Sequence, residues 1–169
     1  GEEFPSEDKP EAKAEGTLPV FIKQIHAQEG DIMKMWSFEY KMVTTVALVR
    51  SIKRTPLKIL YVLSDITGHI NAHLWADAGD TTAGVGVTLN TYARVIGAIR
   101  QQGDVKSILI YKIQPAKINE VNTHYMEVVN ARYQAEEYYR GGAGNTTTED
   151  CINISFTWSN NQFKKSEID

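Results

Sequence analysis

Cysteine is almost missing from this sequence. Cys151 is the only one, which excludes an internal disulfide and any multi-cysteine zinc site and suits a reducing compartment. Long apolar runs are missing as well: none approaches the ~18 residues of a membrane span, so no membrane partner is expected. The first residues are acidic where a secretory leader is basic and then apolar, which argues against export. Two glycosylation sequons, Asn145-Thr146-Thr147 and Asn153-Ile154-Ser155, would matter only in a secreted chain and are read as chance. Strong net charge is the third absence. With 18 Lys+Arg against 21 Asp+Glu over 169 residues, the balance of -3 is not that of a dedicated duplex-DNA binder. No internal repeat is visible either.

Catalytic signatures are also lacking. No Walker A or G-x-S-x-G string occurs. Gly84-Val85-Gly86 begins a G-x-G-x-x-G match but has Leu89 at the third glycine and no helix after it, so a dinucleotide fingerprint fails. His69 and His73 would pair as ligands on a helix, but on a strand they stand ~13 Å apart and cannot share one zinc ion. Asp65, Asp77 and Asp80 fall near turns, where aspartate commonly caps backbone. No catalytic residue, cofactor or metal is expected.

What is present divides the chain by composition. Residues 1–16 hold six acids and two bases, residues 17–140 eleven and fourteen, and residues 141–169 four and two, so a mildly basic middle lies between acidic ends. The first segment carries one large apolar residue, Phe4, and is expected to be a disordered arm. The last opens with GGAGNTTTED and is expected to be a flexible polar tail, in which CINISFTW alternates without a nearby partner strand.

Between them, period-two alternation predicts strands over Phe38 to Lys53, Lys58 to Leu63, Ile70 to Ala76, Tyr92 to Arg100 and Ser107 to Ile113. A turn at residues 64–68 joins the second and third, and a Gly- and Thr-rich loop spans residues 77–90. Five short strands favour closure, because a closed barrel leaves no exposed edges. The expected fold class is mainly β: a five-stranded OB-fold barrel over residues 17–117, followed by one C-terminal α-helix over residues 118–140.

The third strand carries the sharpest signal. Ile70, Ala72, Leu74 and Ala76 make one apolar face, and Asn71, His73, Trp75 and Asp77 make the other. A tryptophan among hydrogen-bonding neighbours offers a flat π surface at a wet site, as stacking on an unpaired base requires. Covering the barrel end or touching a neighbouring subunit is the alternative use. Arg50, Lys53, Arg54 and Lys58 bracket the first turn, and Arg100 and Lys106 flank the last. Both clusters fall in loops that an OB barrel points at its groove, where phosphates would be met.

The helix is expected from an N-cap at Asn119 to Arg140, with no Pro or Gly inside. Its apolar positions, Val121, Tyr125, Met126, Val128, Val129, Ala131, Tyr133, Ala135, Tyr138 and Tyr139, spread over roughly 240° of the circumference, wider than one core contact needs. This predicts a bundle with helices of other chains through Val121, Tyr125, Val128, Val129 and Tyr133, with Val128 near the middle. A helix folded back on its own barrel is the alternative.

The strings VRSIKRTPLKILYVLSDITGHINAHLWADAGD, TYARVIGAIR, KSILIYKI and NEVNTHYMEVVNARY resemble the middle subunit of replication protein A, the eukaryotic single-stranded-DNA-binding heterotrimer. The resemblance covers residues 49–133 closely and residues 18–140 in outline. It implies an OB-fold whose C-terminal helix joins helices of the large and small subunits in a three-helix bundle. It also implies a nuclear role in replication, repair and recombination. Trp75 falls at the family's base-stacking tryptophan, Arg50 at a basic contact ending the first strand, and Arg100 at the end of the fourth. Together with the polar strand face and the basic loop clusters, this gives the expected DNA-binding set Trp75, His73, Asn71, Arg50, Lys58, Arg100 and Lys106. Gln102 replaces the family's second aromatic, and His73 stands where vertebrate-type sequences have arginine. The matched strings include neither the family's Ser-rich arm nor its winged-helix domain. A telomere-specific paralogue, or an assembly module whose groove does not touch DNA, remain the alternatives.

Overall fold

The structure is a computed structural model that describes residues 12–13, 16–76 and 79–141. Along the chain run β1 (Ala12–Lys13), β2 (Thr17–Pro19), α1 (Ile22–Ala27), β3 (Met33–Met35), β4 (Phe38–Tyr40), β5 (Met42–Arg54), β6 (Lys58–Asp65), β7 (Gly68–Trp75), β8 (Tyr92–Gln102), β9 (Val105–Pro115) and α2 (Ile118–Arg140).

Strands β5, β6, β7, β9 and β8 pair in that order, and β5 pairs again with β8, which closes a five-stranded barrel. The expected OB-fold is therefore what the chain forms. Only β7 and β9 run parallel within the ring, so the long connection after β7 crosses to the far side of β9. Alternation sorts the side chains as period two requires: Ile59, Tyr61, Leu63, Ile70, Ala72, Ala93, Val95, Ile99, Ile108 and Ile110 fill the interior. On β5, five consecutive residues from Val43 to Ala47 are buried. One face lines the barrel, and α2 packs against the other.

The strand expected over Phe38 to Lys53 is interrupted at Lys41, where the chain leaves the small β1–β4–β3 sheet and enters the barrel. Ala12–Lys13, within the expected disordered arm, pairs in parallel with Phe38 and Glu39 of β4. The expected polar tail, with its CINISFTW string, lies outside the described residues.

Helix α1 closes one barrel end with Ile22 and Ile25, both fully buried. The β6–β7 turn holds its start: Asp65 Oδ2 accepts the Ile22 N–H at 2.9 Å, and Thr67 Oγ1 accepts that of Lys23 at 3.0 Å. The other oxygen of Asp65 accepts the N–H groups of Thr67 and Gly68 at 2.7 and 3.1 Å, so one carboxylate builds both turn and helix start.

Helix α2 begins at Ile118 and its N-cap is Lys117, two residues before the expected N-cap Asn119. Glu120 Oε2 accepts the Lys117 N–H at 2.7 Å, and its other oxygen lies 3.6 Å from Arg94 Nε on β8. His124 is fully buried, and its Nε2 bonds the Val20 carbonyl at 3.1 Å. Phe21 meets the His124 and Tyr125 rings edge-on, and Tyr138 packs on Phe38 with centroids 5.2 Å apart.

Candidate nucleic-acid interface

Register partners in paired strands share a face, so the pairings lay out the outer surface of the barrel in rows. Arg100 pairs with Ser107, Ser107 with Asn71, Asn71 with Val62 and Val62 with Ser51. The next row runs from Ala98 through Leu109, His73 and Leu60 to Lys53. Beyond it, Trp75 pairs with Lys58 beside the short β5–β6 turn. One continuous face thus carries Arg100, Asn71, His73, Trp75, Lys58 and Lys53, between the β5–β6 turn at one end and the β8–β9 turn at the other.

Trp75 is 61% exposed although it sits on a strand of a closed barrel. The ammonium of Lys58 lies 5.4 Å from its ring centroid, a cation–π contact on an indole that stays largely exposed. Lys58 is itself fixed by Thr55, whose hydroxyl accepts the Lys58 N–H at 3.2 Å and donates to the Lys58 carbonyl at 3.0 Å. A shallow pocket of about 360 Å³ adjoins this end, lined by Arg54, Thr55, Pro56, Ile59, Ala76, Gly79 and Asp80.

His73 is half-buried between Leu60 and Leu109. Burial, and then the positive charge of Lys58, lower its pKa below the usual 6.5. The imidazole is accordingly neutral near pH 7 and can act as donor or acceptor toward a base edge, but not as a cation toward phosphate. Its Nδ1 is buried with no hydrogen-bond partner among the described residues.

Arg50 is exposed at a bulge, since Val49 pairs with Leu63 and Ser51 with Val62 and no β6 residue stands opposite Arg50. Arg100 is exposed at the far end of the first row, its Nη1 donating to the Ile99 carbonyl at 3.1 Å. These two arginines stand on β5 and β8, at opposite sides of the face.

Lys106 does not join them. It is 8% exposed, and its ammonium donates to the carbonyls of Ile25 at 3.1 Å, Gln28, and Gly30 at 3.4 Å. All three N–H donors are committed to the chain leaving α1, which corrects the expectation of a phosphate contact. Burial lowers its pKa, against the opposing pull of Asp31 and Glu29. Asp77 lies outside the described residues. Asp65 and Asp80 serve turns as expected, the latter accepting the Thr82 N–H and hydroxyl at 2.9 and 2.7 Å. Gly84 and Gly86, the failed dinucleotide match, hold positive φ in the loop before β8.

The wide apolar arc of α2 proves to be two surfaces. Val121, His124, Val128 and Ala135 are buried among the described residues, and Val128 is only 3% exposed. Val121 and Val128 therefore anchor the helix on its own chain, a correction to their expected place between subunits. Ile118, Met126, Val129 and Tyr133 form a second, exposed stripe with Tyr125 at its margin, and Val129 is 62% exposed.

No family model matches the chain. It is 31% identical over 131 residues to the replication protein A 32 kDa subunit of Rattus norvegicus, a match covering 75% of this chain and 48% of that protein. The chain thus spans about half the length of the curated relatives it matches. Among solved structures it is similar to a chain in a replication protein A heterotrimer bound to ssDNA. That similarity has a TM-score of 0.63 and 30% identity, and covers 72% of this chain and 98% of the other. The S. pombe Stn1–Ten1 structure, with a TM-score of 0.59 at 13% identity over 72% of this chain and 97% of the other, shares the fold.

Proposed function

The chain belongs to the family of replication protein A 32 kDa subunits, and on that premise we propose that it binds unpaired DNA bases on the outer face of β6, β7 and β9. It does so as a non-catalytic member of a nuclear heterotrimer working in DNA replication, repair and recombination. The observation that carries this reading is the exposed Trp75 ring with the Lys58 ammonium 5.4 Å from its centroid, on a face bordered by Arg50 and Arg100. An aromatic platform flanked by cations is sequence-tolerant, because every base has a π-face and every nucleotide a phosphate.

Asn71 and neutral His73 supply hydrogen bonds to base edges, and Arg50, Lys58 and Arg100 supply charge to phosphates. Lys53, on the same row as His73, belongs with them. Lys106 is left out. The exposed side of α2, through Ile118, Tyr125, Val129 and Tyr133, meets the helices of the large and small subunits.

Titration of the full chain with an oligothymidine strand tests the reading. Trp75→Ala is expected to weaken binding by ~1–3 kcal/mol, as loss of one base stack would. Unchanged affinity with a native circular dichroism spectrum would leave the barrel as an assembly module only.

A further inference from the structure

Tyr111 is 79% exposed, the highest value for any large apolar or aromatic side chain among the described residues. It stands in the middle of a paired strand. On β9, Ile108 and Ile110 point into the barrel, while Ser107, Leu109 and Tyr111 belong to the outer side. Ser107 and Leu109 are register partners of Asn71 and His73. Tyr111 therefore lies two residues beyond Leu109, as Trp75 lies two beyond His73, on neighbouring strands of one face.

Two features keep the tyrosine open on both sides. Toward β8, Ile110 pairs with Gly97 and Lys112 with Ile96, so no β8 residue stands opposite Tyr111. Gly97 permits this bulge: a Cβ there would collide with the Leu109 carbonyl and the Ile108 side chain. Toward β7, the ladder ends at the His73–Leu109 pair, so nothing on that strand is registered with Tyr111. Exposing a phenol ring in this way leaves apolar area in water. Neighbouring Trp75 does the same, and a face with two such rings fits ligands that have flat faces of their own.

We propose that Tyr111 is a second stacking platform, holding the base next to the one on Trp75, and so extends the site across β9. This rests on the reading of the Trp75 face as the single-strand site. It also relocates the second aromatic: the β8–β9 turn carries Gln102, and the strand beside Trp75 carries Tyr111 instead.

The test uses the full chain with an oligothymidine strand and an abasic strand of equal length, with Tyr111→Ala, Tyr111→Phe and Trp75→Ala. Tyr111→Ala is expected to weaken oligothymidine binding by about 5- to 150-fold, the span of one lost stack. Tyr111→Phe, which keeps the ring, is expected to bind as the parent does, and the abasic strand is expected not to distinguish Tyr111→Ala from the parent. Equal losses on both strands would mean a structural role and overturn the proposal. Parental binding by Tyr111→Ala while Trp75→Ala is weakened would overturn it and leave the Trp75 site standing. Parental binding by both variants would remove the site as well.

Discussion

The ammonium of Lys106 donates to the Ile25 carbonyl at 3.1 Å, linking the start of β9 to the end of α1 across 81 positions of sequence. A cation at a helix C-terminus satisfies carbonyls that the helix leaves open and complements their partial charge. The same neighbourhood is tied again by Gln101, whose Oε1 accepts the Gly30 N–H at 2.6 Å and whose N–H donates to Asp31 at 2.8 Å. The β8–β9 turn, one border of the proposed groove, is thereby braced against the N-terminal part of the chain.

Lys106→Met should therefore act on stability. Removing the ammonium takes a charged donor from three carbonyls, of which that of Ile25 keeps, among the described residues, only the Gln28 N–H at 3.3 Å. A lost hydrogen bond to a charged group costs about 1–3 kcal/mol, so the urea midpoint is expected to fall. The salt dependence of single-strand binding is expected to stay as in the parent. A stable variant with a shallower salt slope would return Lys106 to the phosphate-contacting set.

The cations of the Trp75 face should show the reverse. Each phosphate contact on a single strand contributes ~0.7 to the slope of log affinity against log salt. Arg50→Gln, Lys58→Gln and Arg100→Gln are each expected to reduce the slope by that amount with unchanged urea midpoints. His73→Gln is expected to leave the slope at pH 7.5 unaltered, because the imidazole is already neutral there.

The two sides of α2 separate under substitution with a charge. Val128 is buried against its own chain, and Val128→Asp should lower stability by several kcal/mol by placing an unpaired carboxylate in an apolar contact. Val129 is exposed, and Val129→Asp is expected to keep the parental urea midpoint while losing the large and small subunits on size exclusion. Retention of both subunits by Val129→Asp would show that the exposed stripe is not the assembly surface.

Acid should loosen the seat of α2 through His124. Burial brings its pKa down from 6.5 to about 4, with Arg94 adding to the fall and the Val20 hydrogen bond and Asp65 opposing it. Between these values the unfolded chain binds the proton that the folded chain refuses. The contribution is therefore complete above pH ~6.5 and is lost as the pH falls from 6.5 through about 4. Relative to His124→Gln, the parent is expected to lose about 2 kcal/mol between pH 7 and pH 5 in urea unfolding. Parallel losses in both proteins would exclude His124 as the titrating group.

Period two made the barrel and the Trp75 face readable, since Ile70, Ala72 and Leu74 assign Trp75 to the opposite side without knowledge of any partner strand. The same parity held a signal about Lys106 that charge obscured: residues 106, 108 and 110 share a face, and Ile108 and Ile110 make it the inner one. Helix α1 has six residues, too few to show a period, and its ends are fixed by Asp65, Thr67 and Lys106 from distant sequence. The width of the apolar arc on α2 was legible. Its division was not, because Val128 and Val129 are equally apolar and only the position of the barrel tells them apart. Tyr111 fits the outward alternation of β9, but its openness depends on a bulge opposite Gly97 and on where the β7 ladder ends, and neither leaves a local sequence mark.

The most direct test of the face as a single-strand site follows Trp75 itself. Of the three tryptophans, Trp36 and Trp158 can be replaced by phenylalanine to leave Trp75 as the only indole, and its fluorescence followed as oligothymidine is added. Stacking of a base on the ring is expected to quench the emission saturably, at the same strand concentrations that saturate binding measured by anisotropy of the labelled strand. Saturated anisotropy with unquenched Trp75 emission would place the strand elsewhere on the molecule and contradict the site.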